Sequence, residues 1–369
     1  MQPIVRLSIA GVQVQAFQFE NAATRIRFGS GSLVHLREEV ARLGITRAIV
    51  LTTPQQISLA DRADELLGEV AVTRFTEATM HTPVTVTQAA LAQAREAGVD
   101  GIVSLGGGST IGLGKAIALR TGLPQITVPT TYAGSEMTPI LGETDAGRKV
   151  TQRQPVIQPR AVIYDVDLTL SLPIAASVTS GINAIAHAVE ALYAIDANPV
   201  TSLLAEEGIR SFAQALPRLH TDPQDRSARE QALYGAWLCG TCLGQVGMAL
   251  HHKLCHTLGG TFDLPHAETH SIVLPHAIAY NAVAGDAMGR IARALGTDQP
   301  PALGMFALCR QLGAPAALRD LGMPEAGIAQ AADLATANPY PNPRPIERDP
   351  LMALLRRAWA GSPPLPEET

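Results

Sequence analysis

Near residue 165 the sequence changes character, and that change leaves few folds open to it. Before this point short β-rich runs alternate with amphipathic helical stretches. The runs are AIVLTT at Ala48–Thr53, GIVSLGGG at Gly101–Gly108, QITVP at Gln125–Pro129 and AVIYD at Ala161–Asp165. Between them lie segments such as ISLADRADELLGEV and VTVTQAALAQAREAG. That alternation is the pattern of βαβ units building a parallel sheet with helices on both faces. The opening VQVQAFQFENAATRIRFG alternates in the manner of a hairpin or an edge strand beside the sheet. From Pro173 onward Ala and Leu recur with helical periodicity and β-branched runs nearly vanish. The expected architecture is an α/β domain over residues 1–164 followed by an all-α domain over residues 165–369, sharing one cleft. Asn338–Pro345 (NPYPNPRP) reads as a rigid, extended connector within the helical part, and SPPLPEET as a frayed tail.

Several function classes are disfavoured at this stage. A formal net charge of −5 argues against nucleic acid or an anionic membrane surface as partner. No apolar run reaches the roughly 18 residues of a membrane span. The start, MQPIVRLSIAGVQVQAF, has no long apolar core of the secretory kind, so a secretory signal is not expected, and the cysteine usage points to a reducing cytoplasm. The four cysteines are too few for a disulfide scaffold. Cys239 and Cys242 form a CGTC, but in an apolar helical pattern without a second CxxC they read as buried structural thiols.

Two loops carry a nucleotide signal. Gly106, Gly107, Gly108 and Ser109 follow a buried strand and precede a helix, where glycine permits close backbone approach and the helix N-terminus offers free amides to a phosphate. Alone, this GGGS fits a plain tight turn as well, and it is not the GxGxxG dinucleotide fingerprint. The loop VPTTYAGSEMTP after the next strand strengthens the case. Its Thr130, Thr131, Ser135 and Thr138 are candidates to hydrogen-bond a pyrophosphate or a nicotinamide ribose.

The second constellation is histidine-rich. Leu250–His270, LHHKLCHTLGGTFDLPHAETH, holds five of the ten histidines. Residues four apart share a helix face, which pairs Asn183 with His187 and His252 with His256. For any single one of these histidines, a satisfied core residue is the plainer reading.

In order along the chain, the turn near Phe28–Gly31, GGGS, PTT…GSE, Lys149, YDVDLTLSLP and the two histidine motifs resemble the iron-containing (group III) alcohol dehydrogenase superfamily, which includes dehydroquinate synthase. The resemblance implies a Rossmann-like N-terminal domain, a helical C-terminal domain and NAD(P) between them, with Lys149 serving the cofactor. It also implies that the superfamily's metal positions fall on Asn183, His187, His252 and His266, while His256 matches a non-ligand histidine near the nicotinamide. His251 and His270 receive no assignment. Asn183 stands where the metal-binding relatives have Asp, and a neutral amide is a much poorer hard ligand than a carboxylate. No metal is therefore expected, although three imidazoles alone can hold zinc. Thr53 occupies the place where relatives with strict NAD preference carry an acid, so both NADH and NADPH are expected to serve.

Within the superfamily, Asn183, the string Leu250–His270 and the TPQQ strand end look like the maleylacetate reductase branch. That resemblance implies NAD(P)H-dependent reduction of the carbon–carbon double bond of maleylacetate to 3-oxoadipate, in the catabolism of aromatic compounds, by a homodimer. On this reading His256 donates the proton and His187, His252, His266 and Asn183 bind substrate oxygens. Lys253 is a candidate for a carboxylate of the small dicarboxylate substrate, or else a solvated helix lysine. The alternative is a metal-dependent alcohol or polyol dehydrogenase of the same superfamily that tolerates Asn183.

Overall fold

The computed structural model describes residues 17, 19–20, 23–145 and 148–365, except the side chains of Arg148 and Lys149. Among the described residues six strands form one parallel sheet: β1 (Arg25–Phe28), β2 (Ala48–Leu51), β3 (Ala71–Phe75), β4 (Gly101–Gly106), β5 (Gln125–Pro129) and β8 (Ala161–Tyr164), in the order β1-β8-β5-β4-β2-β3. A separate antiparallel hairpin, β6 (Ile140–Asp145) and β7 (Arg148–Arg153), stands beside it. The expected edge strand is β1, which pairs in parallel with β8; residues 12–16, 18 and 21–22 of the alternating segment lie outside the described residues.

The strands read as continuous apolar runs because both faces of the sheet are covered. Alternate residues go to opposite cores. Ala48 and Val50 pack beneath α1 (Leu36–Arg42) and α2 (Ile57–Leu67), whereas Ile49 and Leu51 pack beneath α3 (Val84–Glu96) and α4 (Gly108–Thr121). At the C-terminal ends of β1 and β8 the Asp165 carboxylate receives the amides of Gly31 (2.9 Å) and Leu33 (2.9 Å), fixing the glycine turn that follows β1.

From residue 174 the chain is helical, as its periodicity predicts: α5 (Ile174–Tyr193), α6 (Pro199–Thr221), α7 (Arg226–Gln245), α8 (Leu250–Phe262), α9 (His266–Tyr280), α10 (Gly285–Leu295), α11 (Pro301–Gln311), α12 (Gly327–Ala337) and α13 (Arg348–Ala360). Helix α5 is buried along its whole length from Ser177, so polar residues on it cannot be solvated face residues. The apolar stripe of α6 is consumed inside the chain: Ala205, Ile209, Phe212, Ala215 and Leu216 are buried, and Leu203 remains exposed. Between α12 and α13, the proline-rich connector has no regular secondary structure, as expected. All four cysteines are buried and free. Among the described residues no single helix is long and apolar enough to cross a membrane.

Helix α7 presses directly on the loop after β5. Gly240 faces Gly134, and a Cβ at residue 240 would lie 2.8 Å from the Gly134 carbonyl oxygen and 2.9 Å from its Cα. Both neighbours are backbone, so a side chain there must move the loop or the helix. Gly240→Ala is therefore expected to lower unfolding stability by about 1–3 kcal/mol, the usual cost of overpacking. Urea denaturation with an unchanged midpoint would show that this contact is slack.

Candidate active site

The C-terminal ends of β2, β4 and β5 gather the nucleotide-side residues. Gly106 has φ +149°, a conformation that favours glycine, and the Thr130 amide donates to its carbonyl (3.1 Å). A Cβ at Gly107 would lie 2.9 Å from the Thr131 methyl, whereas one at Gly108 would meet nothing within 4 Å. Helix α4 starts at Gly108 with no side chain capping it, so its first amides face a glycine-lined cradle. Gln56, which the sequence reading left out, lies in the same place: its Nε2 donates to Thr130 Oγ1 (3.0 Å), and the Thr53 hydroxyl lies 3.5 Å from its Oε1. The donor set and the open cradle fit a dinucleotide phosphate.

Two hydroxyls depart from expectation. Thr138 is buried, donates to the Ser135 carbonyl and accepts from Lys115 Nζ (2.9 Å), so it braces the loop instead of facing a ligand. The Ser135 hydroxyl also accepts from Lys115 (3.2 Å). Lys115 was not foreseen. It is fully buried, binds the Ser135 and Ile140 carbonyls as well, and burial pushes its ammonium down to about 7. Lys149 lies in β7, opposite Thr144, and its side chain is outside the described residues.

The histidines converge. Asn183, His187 and Glu190 project from α5, His251, His252 and His256 from α8, and His266 and His270 from α9. Glu190, buried and missed by the sequence reading, organises the group. Its carboxylate accepts from the amides of Ala249 (2.7 Å) and His251 (2.6 Å), at the N-terminus of α8, and lies 2.7 Å from His252 Nδ1. With that nitrogen donating, His252 Nε2 is left as an acceptor, and it receives His187 Nδ1–H at 2.8 Å. His187 Nε2 then lies between the Ala133 carbonyl (3.3 Å) and the Asn183 amide (3.5 Å), while Asn183 Oδ1 is buried with no partner among the described residues.

His251 and His270 are not bystanders. Both are fully buried, His251 Nε2 lies 2.9 Å from His270 Nδ1, and the His270 ring centre is 4.3 Å from that of His266 and 5.1 Å from that of His252. The i, i+4 spacing of His266 and His270 is the signal that could have found the second of them. His256 sits at the more open side of the cluster, with Nδ1 3.2 Å from the Tyr340 hydroxyl. Lys253 lies apart from the rings, 5.5 Å over the Tyr340 ring and half-buried, with its pKa lowered by burial. Burial, reinforced by mutual repulsion, holds His187, His251 and His270 well below the usual imidazole value, so these rings are neutral at neutral pH.

Whether a dication fits the superfamily's metal positions can be tested on these contacts. Asn183 brings no charge, and His187 and His252 are joined directly to each other. The three groups within 4.8 Å of one another that metal-site geometry picks out among the described residues are His251, Cys255 and His270, not His187, His252 and His266. The residues at the superfamily positions do not fit a tightly held divalent ion in this arrangement.

Buried neutral histidines make the fold acid-sensitive. His276 on α9 is the clearest case: burial, with Arg357 nearby, takes it from 6.5 down to about 4. Above pH 6.5 the ring is neutral in both folded and unfolded chains. As the pH falls below 6.5 the unfolded chain takes up a proton that the folded chain refuses, so stability falls until about pH 4. The loss amounts to about 3 kcal/mol for this ring alone. Calorimetry should show the melting temperature falling steadily from pH 7 to 4, and a flat profile would refute it.

The sequence profile described as "Iron-containing alcohol dehydrogenase" matches residues 23–166, and "Fe-containing alcohol dehydrogenase family, C-terminal" matches residues 177–359. A maleylacetate reductase of Burkholderia cepacia is 56% identical over 352 residues, 95% of this chain and 100% of that one. That of Rhizobium sp. (strain MTP-10005) is 54% identical over the same shares. The crystal structure of maleylacetate reductase from Agrobacterium tumefaciens superimposes with a TM-score of 0.92 at 55% identity, covering 95% of this chain and all of the other.

Proposed function

This chain belongs to the iron-containing alcohol dehydrogenase family, and within it we infer the reaction of a maleylacetate reductase: NAD(P)H-dependent reduction of the carbon–carbon double bond of maleylacetate to 3-oxoadipate. This places it in the catabolism of aromatic compounds. The observation that carries the chemistry is the direct His187–His252 hydrogen bond beside a neutral Asn183. An alcohol dehydrogenase of this family needs a Lewis acid to stabilise an alkoxide. An enone carries its own electron sink, so hydrogen-bond donors suffice to stabilise the enolate formed when hydride arrives β to the ketone. The Asn183 amide, and rings outside the Glu190–His252–His187 chain, supply donors of that kind. We therefore read the site as working without a metal. Glu190 still stands behind His252 as a carboxylate stands behind a metal-bound imidazole, but the nitrogen it presents goes to His187.

When bound, NAD(P)H supplies the hydride. In this reading the first turn of α4 with Gly106, Gly107, Gly108 and Ser109 holds the phosphates. Thr130 and Thr131, with Gln56 behind them, line the same loop edge, and Ser135 and Thr138 shape it through Lys115. Lys149 is assigned to the cofactor as well. Thr53 offers no carboxylate to repel a 2′-phosphate, so NADH and NADPH both serve. His256, at the open side of the cluster, gives its proton to the carbon α to the ketone as the enolate collapses. His266 orients a substrate oxygen, His187 and His252, linked to each other, hold Asn183 in place beside it, and Lys253 attracts a terminal carboxylate. The division of the chain into a cofactor half at 1–164 and a helical half at 165–369, a homodimeric assembly and a cytoplasmic location complete the proposal.

Oxidation of NADH with maleylacetate as the other substrate, and none with simple ketones or alcohols, is the direct test. His256→Ala should reduce kcat by about 10²–10⁴, the range for losing a general acid, while leaving the Kd for NADH unchanged. Wild-type turnover in that variant would remove His256 from the mechanism. Exhaustive chelation should leave the maleylacetate rate intact, and a rate that vanishes and returns with one added metal ion per chain would overturn the metal-free reading.

A further inference from the structure

The residue that orients His256 comes from outside the histidine motifs. It lies on the connector between α12 and α13, where prolines at 339, 341, 343 and 345 fix alternate φ angles and withhold backbone donors. The connector is strapped down at two points. Asn342 and Asn281 exchange amide hydrogen bonds (2.9 and 2.7 Å), and Asn342 Oδ1 also receives the Leu250 amide at the start of α8 (3.3 Å). Further along, the Tyr280 hydroxyl donates to the Pro345 carbonyl (2.7 Å), and the Arg344 guanidinium lies 4.4 Å over the Tyr280 ring. Tyr340 is carried on this pre-shaped strap, half-buried, with its hydroxyl 3.2 Å from His256 Nδ1 and its ring under Lys253 Nζ at 5.5 Å.

We propose that Tyr340 is the positioning residue of the proton-delivery step: its hydroxyl oxygen accepts from His256 Nδ1–H, which leaves Nε2 as the nitrogen that carries and releases the proton, while its ring holds Lys253 at the pocket rim. This rests on the assignment of His256 as proton donor. Nδ1–H stays on the ring before and after transfer, so the contact survives the catalytic cycle and the imidazole does not rotate away when it becomes neutral. The phenol keeps its own proton throughout, since burial and the Glu190 carboxylate raise its pKa above the ordinary value. One side chain thereby sets the direction of the acid and the place of the cation that meets the substrate's carboxylate. Neither role is visible from the histidine spacing.

Tyr340→Phe removes the oxygen and keeps the ring, whereas Tyr340→Leu removes both. Tyr340→Phe should lower kcat about tenfold, as expected for the loss of one hydrogen bond, with the KM for maleylacetate and the Kd for NADH moving less than about twofold. Tyr340→Leu should in addition raise the KM for maleylacetate several-fold with NADH affinity retained, and circular dichroism melts of each variant check that it is folded. The double variant His256→Ala/Tyr340→Phe should be no slower than His256→Ala alone, because the tyrosine acts through the histidine. Wild-type kcat in Tyr340→Phe beside a slow His256→Ala overturns the positioning role, and so does a tenfold loss that persists on the His256→Ala background. Wild-type turnover in His256→Ala is a separate outcome: it removes the proton-donor assignment itself, and the role of Tyr340 with it.

Discussion

The Glu190 carboxylate, with no exposure to solvent, holds the site together. A buried carboxylate costs several kcal/mol to desolvate unless its oxygens are fully used. Here they are used: two amides at the N-terminus of α8 and one imidazole converge on it. The amides belong to a helix end that presents partial positive charge and would otherwise lack acceptors, so the helix and the carboxylate stabilise each other. The third amide of that helix end, Leu250, goes to Asn342 on the connector. Helix α8 is therefore capped by two side chains from elsewhere in the chain, and both contacts also fix the site. Glu190 sets the ring orientation of His252, and through it that of His187. Asn342 holds the strap that brings Tyr340 to His256.

This wiring explains how so many imidazoles share one buried space. Each added proton in the cluster would repel its neighbours in a medium of low dielectric, so burial and crowding both favour neutral rings. Neutral imidazoles can donate and accept in chains, and Glu190–His252–His187–Asn183 is such a chain. A metalloenzyme with the same scaffold would break that chain to point nitrogens at an ion. On the proposed reading the chain holds Asn183 in place, and its amide is the donor offered to an oxygen on which charge develops. His256 and His266 lie nearer the open side of the cluster than the other rings, which suits the proton-donor role proposed for His256.

Much of this was legible in the sequence, for reasons that can be named. Alternating β-rich and amphipathic runs dictate a parallel sheet with both faces covered, and the loss of β-branched runs after residue 165 dictates the helices that follow. Helical spacing placed Asn183 with His187 and His252 with His256 on common faces. What spacing could not convey is contact between distant segments. Glu190 is one turn beyond His187 on the same helix, yet its function depends on the start of α8, 59 residues further along. Tyr340 is 84 residues from His256, in a segment whose prolines announced rigidity but not its neighbour. Thr138 looked like a ligand-binding hydroxyl because it sits in a polar loop, and a buried lysine from α4 claims it instead. His251 seemed surplus because it shares neither face with the motif residues, although its partner, His270, follows His266 at helical spacing.

The two sides of the cleft are built on different physical terms, and the difference bears on how each can vary. The nucleotide side relies on backbone: glycines, helix amides and strand ends held in register by the sheet, with Lys115 and Gln56 fixing the loops from behind. Side-chain changes there act mainly by moving backbone, as the Gly134–Gly240 contact illustrates. The histidine side relies on ring orientation, set by contacts between elements: Glu190 with His252, His252 and the Ala133 carbonyl with His187, His251 with His270, and Tyr340 with His256. Replacing the aspartate of the metal-binding relatives by Asn183 alters only the end of the Glu190 chain. On the proposed reading, the change from a metal site to a hydrogen-bonding one leaves the scaffold in place, because it alters one end of a chain of ring contacts and not the elements that carry them.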